Sequence, residues 1–453
     1  MIAVAIDIGS TWTKGAAFRV DGDALEILER AARPTTPGNL SEGFFAVLES
    51  VTRPGAEDAA LHYSSSAKGG LAVAAVGLVP EMTVEIGRIA AQSAGAKLTR
   101  AFSFHLTRQD IAGLEASPPD ILLFAGGTDG GNTNYVLANA AAIGRSAIDC
   151  EIVYAGNRAA ADEVAALLAG KRLRVVDNLM PVFNEPNPDP ARDAIRAIFL
   201  ETIVKGKGLD RIMAATGAAP VPTPFAMLEY TRAIHECAPG WDSFIVLDMG
   251  GATTDVYSVH QELPEPGTIL RGLPEPEVKR TVEGDLGMRV SAATAVEAGG
   301  APSGAEAGDG GQDALRAYAA RLAALPEFLP ASPDEEQLDA ALAGLCVGHA
   351  CARHVGRLAK VYTPDGEVGV QTGRDLRKVA RVIGSGGWLS RAGGFDPAPW
   401  FAHQPVDARG RAVLFPRRFT YYRDEAGLFP LLANLARAHP RAAALAGVRM
   451  LKN

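Results

Sequence analysis

Short apolar runs that end in an acid and a glycine turn open this chain and recur past its midpoint. Ile2 to Ile6 leads to Asp7 and the turn Gly9-Ser10-Thr11, and Phe244 to Leu247 leads to Asp248 and Gly250-Gly251. Each turn feeds a second strand-like run, so each reads as a β-hairpin with a glycine bend. Residues 1–30 predict three strands, with Asp21-Gly22-Asp23 as the second turn, and residues 41–51 predict a helix with Ser41 as N-cap. Apolar runs at 71–78, 121–127, 152–156 and 173–176 then alternate with helical patterns at 81–94, 133–143 and 157–169, which predicts parallel βαβ units. The proline-rich stretch 180–191 reads as an irregular loop leading into a helix over 191–206. The hairpin pattern restarts at 244, as expected of a duplicated fold. Residues 299–313, rich in Gly, Ala and Asp, predict a mobile insertion. The tail beyond 404 ends in an Ala-rich helical pattern at 428–446 and fits a packed cap or a partner-docking extension.

Bulk properties narrow the function classes. A chain of 453 residues has room for two to four domains, and 47% hydrophobic with 21% charged residues is globular composition. The net charge of −8 and scattered Lys and Arg argue against a nucleic-acid surface. No basic segment precedes the first apolar run, which Asp7 interrupts, and no apolar run is long enough to span a bilayer. Cys150, Cys237, Cys346 and Cys351 form no CxxC, so a reducing cytoplasm is expected. Cys346, His349 and Cys351 lie close in sequence, but the amphipathic helical pattern around them favours a buried helix over a metal site.

The two hairpins carry the residue types that phosphate chemistry needs. Glycine lets backbone amides approach a phosphate without a Cβ in the way, and the hydroxyls of Ser10, Thr11, Thr13, Thr253 and Thr254 add donors. Asp7 and Asp248 are placed to hold hydrated Mg2+, a cation satisfied by one or two carboxylates plus substrate phosphates. Asp255, in the strand leaving the second turn, is a third candidate acid or the cap of its own turn. Lys14 offers a point charge to a phosphate or is simply solvated. Surface hairpins use the same glycines and acids; the repetition of the pattern, followed by a third glycine loop, favours the functional reading. That third loop is Gly384-Ser385-Gly386-Gly387, flat enough to lie against a purine. A fourth, AGGTDGGN at 125–132 with Gly126, Gly127 and Thr128, follows a buried-strand pattern and precedes a helix; it fits a nucleotide contact or a tight turn.

In order and spacing, the loops at 5–15, 246–259 and 382–390 resemble the phosphate-1, phosphate-2 and adenosine motifs of the actin, Hsp70 and sugar-kinase ATPase superfamily. Together with LLFAGGTDGGN at 122–132 and EGDLGMR at 283–289, they resemble the GlmL/MutL family, accessory proteins of coenzyme-B12-dependent glutamate mutase and related aminomutases. The resemblance implies a duplicated α/β actin-like (ribonuclease H-like) ATPase fold, two lobes around a nucleotide cleft. The lobes would be residues 1–235 and 236–403, with a C-terminal extension at 404–453. It further implies ATP/ADP and Mg2+ as ligands, with Asp7, Asp248 and Asp255 as the catalytic acids. Gly9, Ser10, Thr11, Thr13, Lys14, Gly126, Gly127, Thr128, Gly250, Gly251, Thr253, Thr254 and the 384–387 loop would bind nucleotide. The implied partner is a B12-dependent mutase subunit, and a homodimer is left open. Asp285 reads as the cap of the following helix. A small-molecule kinase is the alternative, but no aspartate between 60 and 240 stands out as its base. An iron–sulfur ATPase would need more cysteines in the first half, and a peptide chaperone would need a β-rich module after the adenosine motif.

Overall fold

The opening apolar run forms β1 (Ile2–Ile8), buried along nearly its whole length because both of its faces are covered. It pairs antiparallel with β2 (Trp12–Asp21), which pairs antiparallel with β3 (Ala24–Pro34). On its other side β1 runs parallel to β4 (Ala60–Ser65), and β4 runs parallel to the short β10 (Val221–Pro222). A second sheet repeats this plan. There β11 (Phe244–Met249) is antiparallel to β12 (Thr254–Val259), which is antiparallel to β14 (Val278–Glu283). β11 is parallel to β17 (Arg381–Ser385), which is parallel to β19 (Thr420–Arg423). The orders β3-β2-β1-β4-β10 and β14-β12-β11-β17-β19 match strand for strand and sense for sense. The fold is therefore a duplicated actin-like α/β fold. The tail beyond 404 supplies the fifth strand of the second copy.

This computed structural model describes every residue except 37, 53–58, 67–70, 205–207, 262–263, 300–308 and 365; most of the segment expected as a mobile insertion falls outside the described residues. The chain divides into two units, one made of Met1–Gly69, Arg211–Arg271 and Glu275–Asn453, the other of Gly70–Asp210 and Gly272–Pro274.

In the first unit one core is shared by both sheets. Ala3, Ala5, Ala16 and Phe18 from one sheet and Phe244, Val246, Tyr257 and Val259 from the other enclose the helices Thr223–Cys237, Phe429–Ala436 and Pro440–Met450. Side chains in a strand alternate in direction. Asp7 therefore continues the Ala3 and Ala5 face, and Asp248 continues the Phe244 and Val246 face. Both acids emerge on the side of the shared core. The opposite face of the second sheet packs Leu247, Met249 and Val256 against the helix Pro333–His354. A small sheet of β13 (Thr268–Arg271), β15 (Arg357–Thr363), β16 (Gly366–Thr372) and β18 (Ala412–Val413) completes the unit.

The second unit is a five-stranded parallel sheet with the order β6-β5-β7-β8-β9. Its strands are β5 (Ala72–Gly77), β6 (Lys97–Ser103), β7 (Ile121–Phe124), β8 (Glu151–Tyr154) and β9 (Arg172–Val175). This is the βαβ alternation that the hydrophobic pattern predicts. Among the described residues no helix is long and apolar enough to cross a membrane.

Local details differ from the sequence expectations where side chains compete. The first helix, Leu40–Val51, is capped by Asn39, whose Oδ1 accepts the Ser41 amide at 3.3 Å, so Ser41 is already inside the first turn. The Ala-rich tail is two helices, because Pro440 excludes its preceding residue from helical backbone. Asp285 is bound bidentately by Arg353 at 2.7 and 2.8 Å instead of capping a helix. The cysteine-rich segment is the buried helix Pro333–His354, as its amphipathic pattern predicts, and no metal-holding group of His, Cys, Asp or Glu occurs among the described residues. Burial pushes the Cys346 thiol up to about 12 and raises Cys351 further, and it raises Cys150 to about 11. Thiolate is the reactive species. A disulfide-exchange reagent at pH 8 should therefore label native protein at Cys237 alone, and all four thiols only in denaturant. Rapid native labelling of Cys346 or Cys351, located by mass spectrometry, would show the core packed otherwise.

Candidate functional site

The two hairpins are built alike. Gly9 donates its amide to the Trp12 carbonyl at 3.0 Å, and Gly250 donates to Thr253 at 2.9 Å, so each turn closes over two residues. Asp7 lies opposite Lys14 in the first ladder, and Asp248 lies opposite Asp255 in the second. Lys14 thus occupies the position of Asp255 in the other copy. The amides of Ser10, Thr11, Gly251 and Ala252 donate no hydrogen bond among the described residues. A Cβ on Gly251 would stand 3.4 Å from Thr11 Oγ1, so the two tips face each other. Two turns with unused amides on either side of a gap are suited to an anion with several oxygens.

Asp7 is fixed by hydroxyls. Its Oδ1 accepts from Thr223 Oγ1 at 2.7 Å and from Ser64 Oγ at 3.0 Å, which leaves Oδ2 available. Thr223 opens the helix Thr223–Cys237, and Ser64 is steadied in turn by Asn434, whose Nδ2 donates to Ser64 Oγ at 2.8 Å and to the Ile6 carbonyl at 2.9 Å. Burial raises the Asp7 carboxyl above its usual range, opposed by Thr223, by the Lys14 charge and by Ser64. Asp248 is partly exposed, and its carboxyl makes no hydrogen bond among the described residues. Burial, then the charges of Asp255 and Asp7, push it up to about 7.

Asp255 is almost wholly buried. Its Oδ2 accepts from Arg280 at 3.1 Å and from the Tyr257 hydroxyl at 3.3 Å, and its buried Oδ1 has no partner. It does not cap its own turn. A fourth acid was not singled out in the sequence. Asp424, just past β19, accepts from the amides of Leu428 and Phe429 at 2.9 Å each and from Ser385 Oγ at 3.3 Å. Burial brings it up to about 6 against those amides and the Lys14 charge. Its role as helix cap is readable only once β19 is known to end beside β17.

The remaining sequence-predicted residues divide by strand face. Lys14 shares the face of Asp7 and acts electrostatically on Asp7, Asp248 and Asp424. Thr13 lies on the opposite face, fully buried, with its hydroxyl 3.1 Å from that of Thr35. Thr254 is likewise buried and donates to the Leu286 carbonyl at 2.8 Å. The carbonyls of Gly250 and Gly251 accept the amides of Met288 and Arg289, so the EGDLGMR segment braces the second turn. Ser385 lies opposite Asp248 across the parallel β11–β17 pair, and the glycine loop begins there. Gly384 leaves room for the Tyr421 hydroxyl, Gly386 (φ +96) crowds the Met249 backbone, and Gly387 faces open space. Gly126, Gly127 and Thr128 belong to the second unit. Their loop leaves β7 and is braced by Asn178, which donates to the Gly127 carbonyl at 3.0 Å, and by Asn157, which accepts the Gly130 amide at 3.0 Å.

The donor set fits a hard divalent cation. Asp7 Oδ2 and the Asp248 carboxyl keep acceptor capacity, the buried Asp255 Oδ1 has no partner, and the Lys14 charge acts on both Asp7 and Asp248. The acids do not form a chelate by themselves, which suits an ion that keeps its waters and relies on substrate phosphates.

Comparison with known proteins identifies the family. The profile of a family described as MutL protein matches residues 3–449. The chain is 36% identical over 459 residues to Protein MutL of Clostridium tetanomorphum, covering 99% of this chain and 97% of that one. Among solved structures, a glycerol dehydratase reactivase is similar at a TM-score of 0.36 and 11% identity over 96% of this chain and 100% of the other. An activator of the 2-hydroxyisocaproyl-CoA dehydratase from Clostridium difficile, with bound ADPNP, gives 0.31 and 11% over 100% and 99%. The family match spans nearly the whole sequence, and on that ground the chain belongs to the MutL protein family.

Proposed function

We propose that this protein is a slow Mg2+-dependent ATPase serving a coenzyme-B12-dependent mutase, glutamate mutase or a related aminomutase. It would drive exchange of damaged cobalamin by ATP-linked domain motion in the cytoplasm. The observation that supports the ATPase reading best is the pair of opposed hairpins, each presenting an acid toward the shared core, with the Lys14 charge acting on both acids. The mutase client rests on membership of the MutL family and on the resemblance set out above.

In this reading the turns Gly9-Ser10-Thr11 and Gly250-Gly251, with Thr253 closing the second, cradle the phosphates through their amides and hydroxyls. Lys14 adds a positive charge, and Gly384, Ser385, Gly386 and Gly387 support the adenosine. Mg2+, held through Asp7 and Asp248, would supply charge neutralisation at the phosphate oxygens. Asp248, free of hydrogen bonds among the described residues, orients the attacking water. Asp255 adds negative charge behind it. Gly126, Gly127 and Thr128 are kept as a further nucleotide contact. The useful output is closure of the lobes on ATP and reopening after hydrolysis.

ATP with Mg2+ should raise the melting temperature, because a ligand bound only by the folded state stabilises it by mass action. With EDTA the shift should shrink, and equal shifts in both conditions would remove the metal role of Asp7 and Asp248. Mutase loaded with cyanocobalamin should regain activity only when this protein, ATP, Mg2+ and adenosylcobalamin are all present. Recovery without ATP, or phosphorylation of a small hydroxylated metabolite by the purified chain, would overturn the reactivase reading.

A further inference from the structure

Asp248 and Asp255 face each other across antiparallel strands, an arrangement in which like charges repel at close range. Something must keep both carboxylates in place. On the same sheet face, Tyr257 follows Asp255 by two residues, and Arg280 of β14 is the direct ladder partner of Tyr257. Arg280, Tyr257, Asp255 and Asp248 therefore form one row across β14, β12 and β11. Arg280 is 5% exposed and reaches diagonally to Asp255 Oδ2 at 3.1 Å, with its guanidinium 5.9 Å from the Tyr257 ring centre. The Tyr257 hydroxyl donates to the same Oδ2 and also lies 3.4 Å from the Pro224 carbonyl, one residue from the Thr223 that holds Asp7. Both donors take one oxygen of Asp255, and the other has no partner.

We infer that Arg280 is a positioning residue for the nucleotide site: it clamps Asp255 by Oδ2, so that Oδ1 stays free for a hydrated cation or water beside Asp248. This rests on the proposed Mg2+-dependent ATPase. A buried carboxylate with one unused oxygen is costly unless something binds it. A guanidinium fixed on the far side prevents the carboxylate from turning to satisfy itself. Arg suits the task because its charge is permanent and its donors have a fixed geometry. Nothing in the sequence singles Arg280 out, because its contact with Asp255 depends on the β12–β14 register.

The test uses the full chain, with Mg2+-dependent ADP affinity measured by calorimetry and ATP turnover measured separately. Arg280→Met should weaken ADP binding about tenfold in Mg2+ but by less than about threefold in EDTA, and should lower kcat about tenfold or more. Arg280→Lys, which keeps the charge, should recover most of both, and Tyr257→Phe should cost less than Arg280→Met. Arg280→Met leaves Asp255 buried and unpaired and so threatens the fold itself. Asp255→Asn with and without Arg280→Met therefore closes a double-mutant cycle whose double variant leaves neither charge buried without its partner. Once Asp255 is neutral, removing Arg280 should no longer change Mg2+-dependent affinity. Additive losses in that cycle, or equal losses in Mg2+ and EDTA, would show that Arg280 only supports the fold and would overturn the inference. Wild-type protein that binds ADP without regard to Mg2+ would instead remove the ATPase reading beneath it.

Discussion

Asp248→Asn should lower ATP hydrolysis by about 10²-fold or more while leaving nucleotide affinity within about tenfold of wild type, since the lost charge matters most in the transition state. The structure adds a second expectation. Asp248 has no hydrogen bond to lose among the described residues, and it is held against Asp255 and Asp7. A carboxyl whose pKa is raised on folding destabilises the native state at pH values above that raised pKa, here about 7, and the cost fades as pH falls through it. Neutralising Asp248 should therefore raise the melting temperature of the nucleotide-free protein by several degrees at pH 8, and by less at pH 5. Activity and stability should move in opposite directions, as they do where an active site stores repulsion. Wild-type hydrolysis in the Asn variant would dismiss Asp248 from the mechanism. A lower melting temperature at pH 8 would show that it carries a structural contact.

Gly386→Val should damage the fold itself, and this separates two neighbouring glycines that the sequence presents as alike. A Cβ on Gly386 would stand 2.1 Å from the Met249 carbonyl oxygen, which is backbone and cannot move aside, and its φ of +96 suits glycine alone. The expected destabilisation is about 3–5 kcal/mol, the sum of overpacking and backbone strain. At Gly387 nothing lies within 4 Å of the added Cβ. Gly387→Val should keep its melting temperature within a few degrees and weaken nucleotide binding about tenfold, by occupying the space kept for the purine. Chemical denaturation of both variants with nucleotide titration of the folded one reads this directly. Equal stability of the two would mean that the loop does not lie against β11, and unchanged nucleotide affinity in Gly387→Val would move the adenosine elsewhere.

The two hairpins, their acids and the duplicated order of elements were legible in the sequence because they are local. Near-continuous apolar runs such as Ile2–Ile8 and Phe244–Met249 belong to strands covered on both faces, and glycine turns must follow where a ladder doubles back. Period-two alternation even dictates that Lys14 and Thr13 point to opposite faces, although it does not say which face is the site. That choice waited on tertiary packing, because the shared core lies between the two sheets and defines the side on which Asp7, Lys14, Asp248 and Asp255 emerge. The supporting residues were invisible for the same reason. Thr223, Ser64 and Asn434 meet at β1 from widely separated segments, Asp424 arrives through a fifth strand in the chain's tail, and Arg280 reaches Asp255 only in one register of β12 with β14. Such contacts carry no periodicity and no local composition. They exist because folding brings distant polar groups together around buried carboxylates, whose oxygens need partners that their own sequence neighbours do not supply.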